Sequence, residues 1–257
     1  MLAALSPDWP DLPGVQAFTF TRGGGVSQGP YASLNLAFHV DDAEAAVAAN
    51  RVTVEAWLPG APHLQWLQQV HGTRVIDLPD VAAVTGAPIE ADGLVTSASG
   101  VACCVMTADC LPVFLASAQG DEVALVHAGW RGLAGGIIER AIAGMKTPPD
   151  NVRVWLGPAI AACHFEVGSE VREAIVASTE LVAGARQALL GCFQPAQTPN
   201  KFMADLYAIA RHKLKALGVT QVSGGQYCSY CDAQRFFSYR RDGRTGRNLS
   251  VIYLQGR

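Results

Sequence analysis

The stretch Thr107–Gly136 reads TADCLPVFLASAQGDEVALVHAGWRGLAGG and carries the clearest structural signals in the chain. Two apolar runs, Val113–Ala116 and Val123–His127, are separated by polar and turn residues. Short apolar runs bounded in this way are typical of strands buried on both faces. A Gly-Trp-Arg-Gly turn follows the second run, and helical spacing continues over Leu133–Met145. The stretch therefore predicts neighbouring buried strands followed by a helix.

The same patterns predict further elements on both sides of this stretch. Helices are expected over Asp41–Trp57 with an aspartate cap, from a Ser169 cap through a long Ala/Leu segment, and over Phe202–Leu217. Strands are predicted at Val15–Thr21, Leu64–Gln69, Thr73–Leu78, Gly93–Thr96, Val101–Met106, Val152–Leu156, His164–Val167, Gln221–Gly224, Phe236–Arg240 and Leu249–Leu254. No repeat or linker-like composition divides the chain. We therefore predict one mixed α/β domain over residues 1–257, with residues 1–14 as a lead-in segment.

Composition narrows the classes of function. The 257 residues are 50% hydrophobic, which is enough for a sizeable core, and the formal net charge of -3 gives no footprint for nucleic-acid binding. The most apolar region, Val101–Val126, is interrupted by acidic residues, so no membrane span is expected. The N-terminus lacks the pattern of a secretory signal, and the 7 cysteines are expected to be reduced thiols or metal ligands in the cytoplasm. A monomer or small homo-oligomer is expected.

Three residues form a candidate metal site. His71, Cys110 and His127 each lie at the end of an apolar run beside glycine or proline. Imidazole and thiolate ligands suit zinc, with copper as the alternative. Three protein ligands and an open fourth position are typical of a catalytic zinc site. Taken alone, the cysteine is also typical of a small core residue, and each histidine is also typical of a hydrogen-bonded side chain. The long spacing between the three residues does not match any short metal-binding motif.

Carboxylates near these residues are candidates for proton transfer. A zinc held by two imidazoles and one thiolate can lower the pKa of bound water to about 7. Attack of hydroxide on C6 of adenine, with a carboxylate managing the protons, would be the logic of a nucleobase deaminase. Asp92 and Asp109 are the nearest carboxylates along the chain. For Asp109, an ordinary turn or cap role is an equal alternative.

Phosphorolysis would instead need a phosphate aimed at C1′ of the ribose and a cationic clamp. Planar guanidinium groups suit this role, so Arg22, Arg51 and Arg131 are candidates, and Arg131 opens the helix after His127. The glycine-rich loop after Arg22 can be a tight turn or an anion loop. Asn35 can hydrogen-bond a base or ribose. A basic cluster in the tail can contribute or be a solvated turn: Arg235, Arg240, Arg241, Arg244 and Arg247.

Seven ordered blocks resemble a known family. They are QVHGTRV, ADGLVT, TADCLPVFL, VHAGWRGLAGGI, GPAI, FEVGSEV and FFSYRRDGRTGR. Together they closely resemble the YfiH family, whose members have been called multicopper polyphenol oxidase, laccase-domain protein and purine nucleoside phosphorylase. The resemblance runs from Arg22 to Ile252. One departure is Cys228-Ser229-Tyr230, where Cys-Thr is usual in the family. Cys228-x-x-Cys231 has redox or zinc spacing, but without a second pair it is expected to be structural.

The resemblance implies a fold and a function. The fold would be α+β, a single-domain αββα sandwich with mixed sheets flanked by helices, of the type shared with the deamidase domain of cytotoxic necrotizing toxins. His71, Cys110 and His127 fall where the family places its metal ligands, usually zinc. The implied reactions are phosphorolysis of adenosine, inosine, guanosine and methylthioadenosine, and deamination of adenosine. The implied partners are therefore purine nucleosides and phosphate.

Other functions remain open from the sequence. A cysteine hydrolase would use Cys110 as nucleophile and His127 as base, acting on peptidoglycan precursors or amides. A copper polyphenol oxidase would need a Cys/His set for a blue-copper site and about eight further histidines for a trinuclear copper centre. The chain has only 6 histidines in all. A domain that binds metabolites without turnover is the third alternative.

Overall fold

The computed structural model describes residues 1–10, 12–60, 62–84, 87–178 and 185–256, and its architecture is mixed α+β. The helices are α1 Glu44–Trp57, α2 Trp130–Gly135, α3 Ile137–Gly144, α4 Ser169–Ala177, α5 Ala185–Leu190, α6 Leu206–Ala216 and α7 Tyr239–Asp242. The strands are β1 Ala4–Leu5, β2 Val15–Phe20, β3 His63–Gln65, β4 Leu67–Gln68, β5 Val75–Asp77, β6 Ile89–Glu90, β7 Gly93–Thr96, β8 Val101–Thr107, β9 Leu111–Ser117, β10 Val123–Ala128, β11 Val152–Leu156, β12 Glu166–Gly168, β13 Phe193–Pro195, β14 Lys201–Ala204, β15 Gln221–Gly224 and β16 Asn248–Leu254.

Two large sheets contain most of these strands. One has the order β1-β2-β16-β8-β3, and the other has the order β15-β11-β9-β10-β7-β5. The stretch Thr107–Gly136 supplies the centre of the second sheet, where β9 and β10 pair antiparallel and every residue of both strands is buried. The continuous apolar runs are explained by the cores on both faces of the sheet, since Val113 and Leu115 lie in one core and Phe114 and Ala116 in the other. Small additional sheets are formed by β12-β14-β13 and β4-β6.

The cores lie on both faces of the two large sheets. Phe114 and Leu125 of one sheet share a core with Cys103 and Ile252 of the other. Helix α1 packs on the remaining face of the β16 sheet, and α3 and α6 pack on the remaining face of the β9 sheet. Each fully buried large apolar side chain contributes about 1.5–3 kcal/mol to folding relative to exposure. The central strands are therefore held firmly, and their ends can carry functional groups.

Several predicted helices differ in extent from the observed ones. The helix expected over Leu133–Met145 is instead two helices, α2 and α3, because Gly136 adopts a left-handed conformation with φ 88° between them. The helix expected from Asp41 begins at Glu44 and has no side-chain cap, since the carboxylate of Asp42 accepts hydrogen bonds from Ser27 and Asn35. These side chains connect a loop to the helix start rather than cap the helix.

Three other predictions need correction. The segment Phe202–Leu217 is strand β14 followed by α6, which Asp205 caps by accepting a hydrogen bond from the N–H of Ala208. The strand expected over Phe236–Arg240 is a buried loop leading into the short helix α7. The long helix expected from Ser169 is α4, capped by Gly168, with α5 further along; residues 179–184 lie outside the described part.

Within the predicted lead-in over residues 1–14, strand β1 pairs with β2 and so extends a large sheet. Among the described residues, no helix has the length and hydrophobicity that crossing a membrane requires.

Candidate metal and active site

Pairing between strands brings Cys110, Asp92 and His127 together. His127 of β10 lies opposite Pro112 of β9, so Cys110, just before β9, reaches the same end of the sheet. On the other side, Val126 pairs with Gly93, which places Asp92 beside His127. The backbone N–H of His127 donates to the carbonyl of Asp92 at 2.7 Å, and the carboxylate of Asp92 bonds Nδ1 of His127 at 2.8 Å.

The same carboxylate holds the loop that carries His71. Asp92 accepts hydrogen bonds from three consecutive backbone N–H groups, those of Val70 at 3.2 Å, His71 at 3.0 Å and Gly72 at 2.7 Å. His71 itself has φ 59°, a left-handed conformation that is uncommon for a residue other than glycine. Asp92 therefore fixes both histidines, one through its ring and the other through its backbone.

The three candidate ligands form a compact cluster. One donor atom from each of His71, Cys110 and His127 lies within 4.8 Å of the others. The two imidazole rings are 4.8 Å apart between centroids and inclined by 75°. Gly129 closes one side, where an added Cβ would lie 2.9 Å from Sγ of Cys110 and 3.4 Å from Cδ2 of His71. His127 is only 3% exposed, whereas His71 is exposed and faces the solvent side.

The charges within the cluster favour ionised groups. Burial on its own raises the pKa of a thiol, but the charge of His127 and hydrogen bonds from His127 and His71 lower the pKa of Cys110 to about 6. Burial lowers the pKa of an imidazole, but the charge of Cys110 and the hydrogen bond to Asp92 raise the pKa of His127 to about 9. In the metal-free protein these opposite shifts favour a thiolate at Cys110 and an imidazolium at His127.

The donor set fits a zinc ion. Asp92 occupies Nδ1 of His127, which leaves Nε2 free to be a ligand, and such carboxylate–histidine pairs are a common support of zinc sites. Thiolate and imidazole are both ligands that zinc prefers. His71, Cys110 and His127 would hold the ion and leave its fourth position open. Copper accepts the same donors, so the residues alone do not fix the metal.

Asp109 lies beside Cys110, but its carboxylate bonds residues of the C-terminal loops. Its two carboxylate oxygens accept hydrogen bonds from Oγ of Ser229 at 2.7 Å and from the backbone N–H of Arg240 at 2.6 Å. Its φ of 100° is strained for aspartate. Asp109 thus ties the turn before β9 to the C-terminal loops, and of the two predicted carboxylates it is Asp92 that contacts His127.

Three basic side chains, those of Arg51, His39 and Arg247, form a group, and the charge of Cys110 acts on Arg247. The guanidinium group of Arg51 lies 3.7 Å from the ring centroid of Trp66 and 4.5 Å from that of Phe38. The charges of Arg51 and Arg247 both act on His39 and, together with burial as the larger cause, lower its pKa. Burial also lowers the pKa of Arg247, opposed by the charges of Cys110 and Asp109. Within the described ranges, neither Arg51 nor Arg247 forms an ion pair.

Two other predicted substrate contacts, Arg22 and Arg131, contact aromatic rings of the protein. Arg22 donates to the carbonyl groups of Ala32 and Ala233, and its guanidinium group covers Phe237. Arg131 is exposed and stacks on the ring of Trp130 at 4.2 Å.

Asn35 is fully buried, and its amide bonds the loop around it and the N–H of Arg247, so it supports the loops rather than facing solvent. In the tail cluster, Arg235 and Arg241 pair with neighbouring aspartates.

Sequence reasoning missed three residues around this basic group. His39 lies in a short turn that has no motif of its own. Phe38 and Tyr239 are exposed by 45% and 62%, next to Arg51 and Arg247 respectively. An exposed aromatic ring beside a cation is a binding signal. That exposure is visible only once the fold is known.

A groove beside strand β5 contains none of these groups. It has a volume of about 520 Å³ and is lined by Thr73–Asp77, Val95, Arg140, Ala143 and Gly144. The chemistry of the ligand cluster, rather than groove size, therefore identifies the site.

A family model described as multi-copper polyphenol oxidoreductase laccase matches residues 16–255. The chain belongs to this family. The YfiH resemblance is confirmed by relatives of that name. A protein named purine nucleoside phosphorylase YfiH from Escherichia coli (strain K12) is 44% identical, with 99% of this chain and 100% of the relative covered.

Other members of the family agree in sequence and structure. A protein named purine nucleoside phosphorylase from Pseudomonas aeruginosa is 48% identical over 99% of this chain and 100% of its own length. A crystal structure of a Neisseria meningitidis protein superposes with a TM-score of 0.89 at 45% identity, covering 98% of this chain and 99% of the other. A structure of YfiH from Bacillus licheniformis has a TM-score of 0.86 at 30% identity, covering 94% and 93%.

Proposed function

We propose that this chain is a zinc-dependent purine nucleoside enzyme of the cytoplasm. Its reactions are phosphorolysis of adenosine, inosine, guanosine and methylthioadenosine, and deamination of adenosine. The names of the similar proteins support the substrate class. We also propose that residues 1–257 form one domain with an αββα arrangement; the core shared by the two large sheets, with helices on their outer faces, supports that layering.

The observation that carries the proposal is an open three-ligand cluster near Arg247, which, like Arg51, forms no ion pair among the described residues. His71, Cys110 and His127 would hold the zinc, which when bound supplies a Lewis acid and a site for activating water. Asp92 keeps the ring of His127 oriented and compensates the positive charge of the protonated ring. Burial would raise the pKa of Asp92, but the hydrogen bonds from His127, Gly72 and Val70 hold it below its ordinary value, so the group stays ionised.

Arg51, Arg247 and His39 are the groups that we propose for phosphate. The guanidinium groups of Arg51 and Arg247 donate hydrogen bonds to backbone carbonyl groups, but among the described residues no ion pair balances their charge, which a bound anion would do. A phosphate bound there would neutralise the charges and lie close to Cys110, whose charge acts on Arg247. Phosphorolysis then joins a phosphate oxygen to C1′ of the ribose while the bond to the base breaks, releasing the free base and ribose 1-phosphate.

Two exposed rings are suited to the purine. Phe38 packs against Arg51, and the guanidinium group of Arg247 lies 6.0 Å from the ring centroid of Tyr239. Stacking between a base and an aromatic ring is worth about 1–3 kcal/mol. We propose that one of these rings covers the base while the arginines orient the phosphate.

Incubation with adenosine and phosphate, followed by chromatography, tests the function. Adenine with ribose 1-phosphate would report phosphorolysis, and inosine would report deamination. If zinc-loaded protein yields neither product, the proposal is wrong. Cys110→Ser should abolish both reactions, whereas Cys192→Ser, far along the chain in a helix-end position, should retain them.

Arginine variants separate the two reactions. Arg247→Lys keeps the charge but loses the planar fork, and we expect the KM for phosphate to rise about tenfold or more. Arg131→Ala is expected to impair phosphorolysis more than deamination if Arg131 also contacts the phosphate. Equal losses in both reactions would count against a phosphate role for the residue concerned.

A cysteine hydrolase is the second candidate, and a specific observation favours it. Cys110, His127 and Asp92 have the connectivity of nucleophile, base and orienting acid. Such a hydrolase, acting on amides or peptidoglycan precursors, should survive a chelator and be inactivated by a thiol alkylator. The zinc enzyme should lose activity to both reagents.

A copper polyphenol oxidase is the least supported candidate. The family description contains the word laccase, but the chain has 6 histidines, and His71 and His127 already belong to the cluster with Cys110. Metal analysis distinguishes this candidate, because an oxidase of that class holds several coppers in each chain.

A further inference from the structure

A second cluster of metal-binding side chains lies apart from the first. Strands β11 and β15 are parallel neighbours, so the loops that follow them leave the sheet at the same edge. The first loop carries Cys163 and His164, and the second carries Cys228 and Cys231. A bridge between Ala159 and Cys228 continues the pairing into these loops. The Cys-x-x-Cys pair thus acquires a second pair of ligands from a distant part of the sequence.

The distances within this cluster match a tetrahedral zinc site. Sγ of Cys163 lies 3.9 Å from Sγ of Cys228 and 3.6 Å from Sγ of Cys231. Nδ1 of His164 lies 3.2 Å from Sγ of Cys163 and 3.3 Å from Sγ of Cys231. Zinc with sulfur at about 2.3 Å and nitrogen at about 2.0 Å places sulfurs about 3.8 Å apart and sulfur–nitrogen pairs about 3.5 Å apart. All four donor atoms lie within 4.8 Å of one another.

The surroundings hold the ligands in place. Sγ of Cys228 accepts a hydrogen bond from the backbone N–H of Ala161 at 3.4 Å, a contact that stabilises a thiolate. The ring of His164 stacks on Tyr230 with 4.0 Å between centroids and 16° between planes. This contact fixes the imidazole so that Nδ1 faces the sulfurs. The four groups are therefore oriented toward a common centre.

We propose that Cys163, His164, Cys228 and Cys231 bind a structural zinc ion. Four protein ligands close the coordination sphere, which is the character of a structural rather than a catalytic site. The ion would clamp the loop after β11 to the loop after β15. Ser229, between the two cysteines of the second loop, donates to Asp109, the neighbour of Cys110. The clamp would therefore position one wall of the first site without touching it.

Zinc content of the purified protein tests this proposal. We expect about two zinc equivalents per chain in the wild type, about one in Cys110→Ser and in Cys231→Ser, and none in the double variant. Cys192→Ser is the matched control, because the serine hydroxyl can keep the 3.5 Å bond to the carbonyl of Ala188. A wild type with one zinc, unchanged in Cys231→Ser, would overturn the proposal.

A second measurement covers the case in which Cys231→Ser does not fold. Metal-free Cys110→Ser titrated with Co²⁺ should develop thiolate-to-cobalt charge-transfer absorption and saturate at about one equivalent. No such absorption would overturn the proposal. A disulfide between Cys163 and Cys231 or Cys228, found by peptide mass spectrometry in most of the wild-type protein purified without reductant, would also overturn it.

Discussion

Asp92 is the residue on which the first site depends most. Its carboxylate bonds the ring of His127 and three consecutive N–H groups of the His71 loop, so one side chain orients two ligands. We expect Asp92→Asn to weaken zinc binding about 10- to 100-fold, as loss of a ligand's supporting carboxylate does elsewhere. Competition with a chromogenic chelator measures this, using the Cys231→Ser protein as background so that only the first site reports.

The exposed Asp77→Asn is the control for that experiment, since it changes the charge by the same amount on the neighbouring strand β5. Thermal unfolding of both variants separates weaker binding from a general loss of stability. Unchanged zinc affinity in Asp92→Asn would contradict the role given to Asp92.

Cys110 should show an unusual pH dependence in the metal-free protein. Burial alone would raise its pKa, but the charge of His127 and the bonds from both histidines lower the pKa to about 6. The reactive thiolate fraction should therefore rise with pH through about 6 and be nearly complete by neutral pH. Alkylation rates of the Cys110 peptide, followed by mass spectrometry, measure the midpoint.

His127→Ala is the informative variant for this titration. Removing the cation should move the midpoint of Cys110 upward toward the ordinary thiol value of about 8.5. A midpoint that stays near 6 would show that the cation at His127 is not what lowers the pKa.

At the scale of elements, the start of α2 approaches the cluster very closely. A Cβ on Gly129 would lie 2.9 Å from Sγ of Cys110, which no side chain can accept without displacing the thiol. Overpacking of this kind costs about 1–3 kcal/mol. We therefore expect Gly129→Ala to reduce zinc affinity and turnover about tenfold or more while the fold persists.

Gly144→Ala is the matched control at the end of α3. There an added Cβ would meet only Cγ2 of Val95 at 3.6 Å, an ordinary contact. Equal effects of the two substitutions on zinc affinity would refute the argument from close approach. Circular dichroism should be unchanged in both variants.

The sequence predicted the strands better than the helices, for reasons visible in particular residues. The apolar runs at Gly93–Thr96 and Val152–Leu156 coincide with β7 and β11. Short runs of this kind are too short for a helix and are typical of buried strands. The hydrophobic spacing predicted one helix through Gly136, but the left-handed φ of Gly136 separates α2 from α3. Phe202 shares helical spacing with the residues of α6, yet pairing with β12 and β13 makes it part of a strand.

At the scale of the whole molecule, the sequence predicts the residue types of the candidate site, and the fold decides which of them meet. The sequence named both Asp92 and Asp109, but only strand pairing decides that Asp92 meets His127 while Asp109 meets Ser229. The second cluster joins residues 65 positions apart, Cys163 and Cys228, and depends on β11 and β15 being neighbours. No local sequence pattern predicts such a contact, because it depends on which strands are neighbours in the sheet.

The whole chain should depend on the second cluster for stability. Zinc bound at about a hundredfold its Kd stabilises the folded state by about 2.7 kcal/mol. For a chain of this size, that corresponds to a fall in Tm of about 5–10 °C when the metal is removed. We therefore expect a strong chelator to lower the Tm of Cys110→Ser, which keeps only the second site, by about this amount.

The Cys110→Ser, Cys231→Ser double variant is the control for the chelator, because it lacks a ligand in each cluster. Its Tm should already be low and should not respond to the chelator. An equal shift in the single and double variants would mean that the stabilising metal lies elsewhere. A single variant without any shift would mean that Cys163, His164, Cys228 and Cys231 do not clamp the two loops through a metal, and the position of Ser229 against Asp109 would then rest on hydrogen bonds alone.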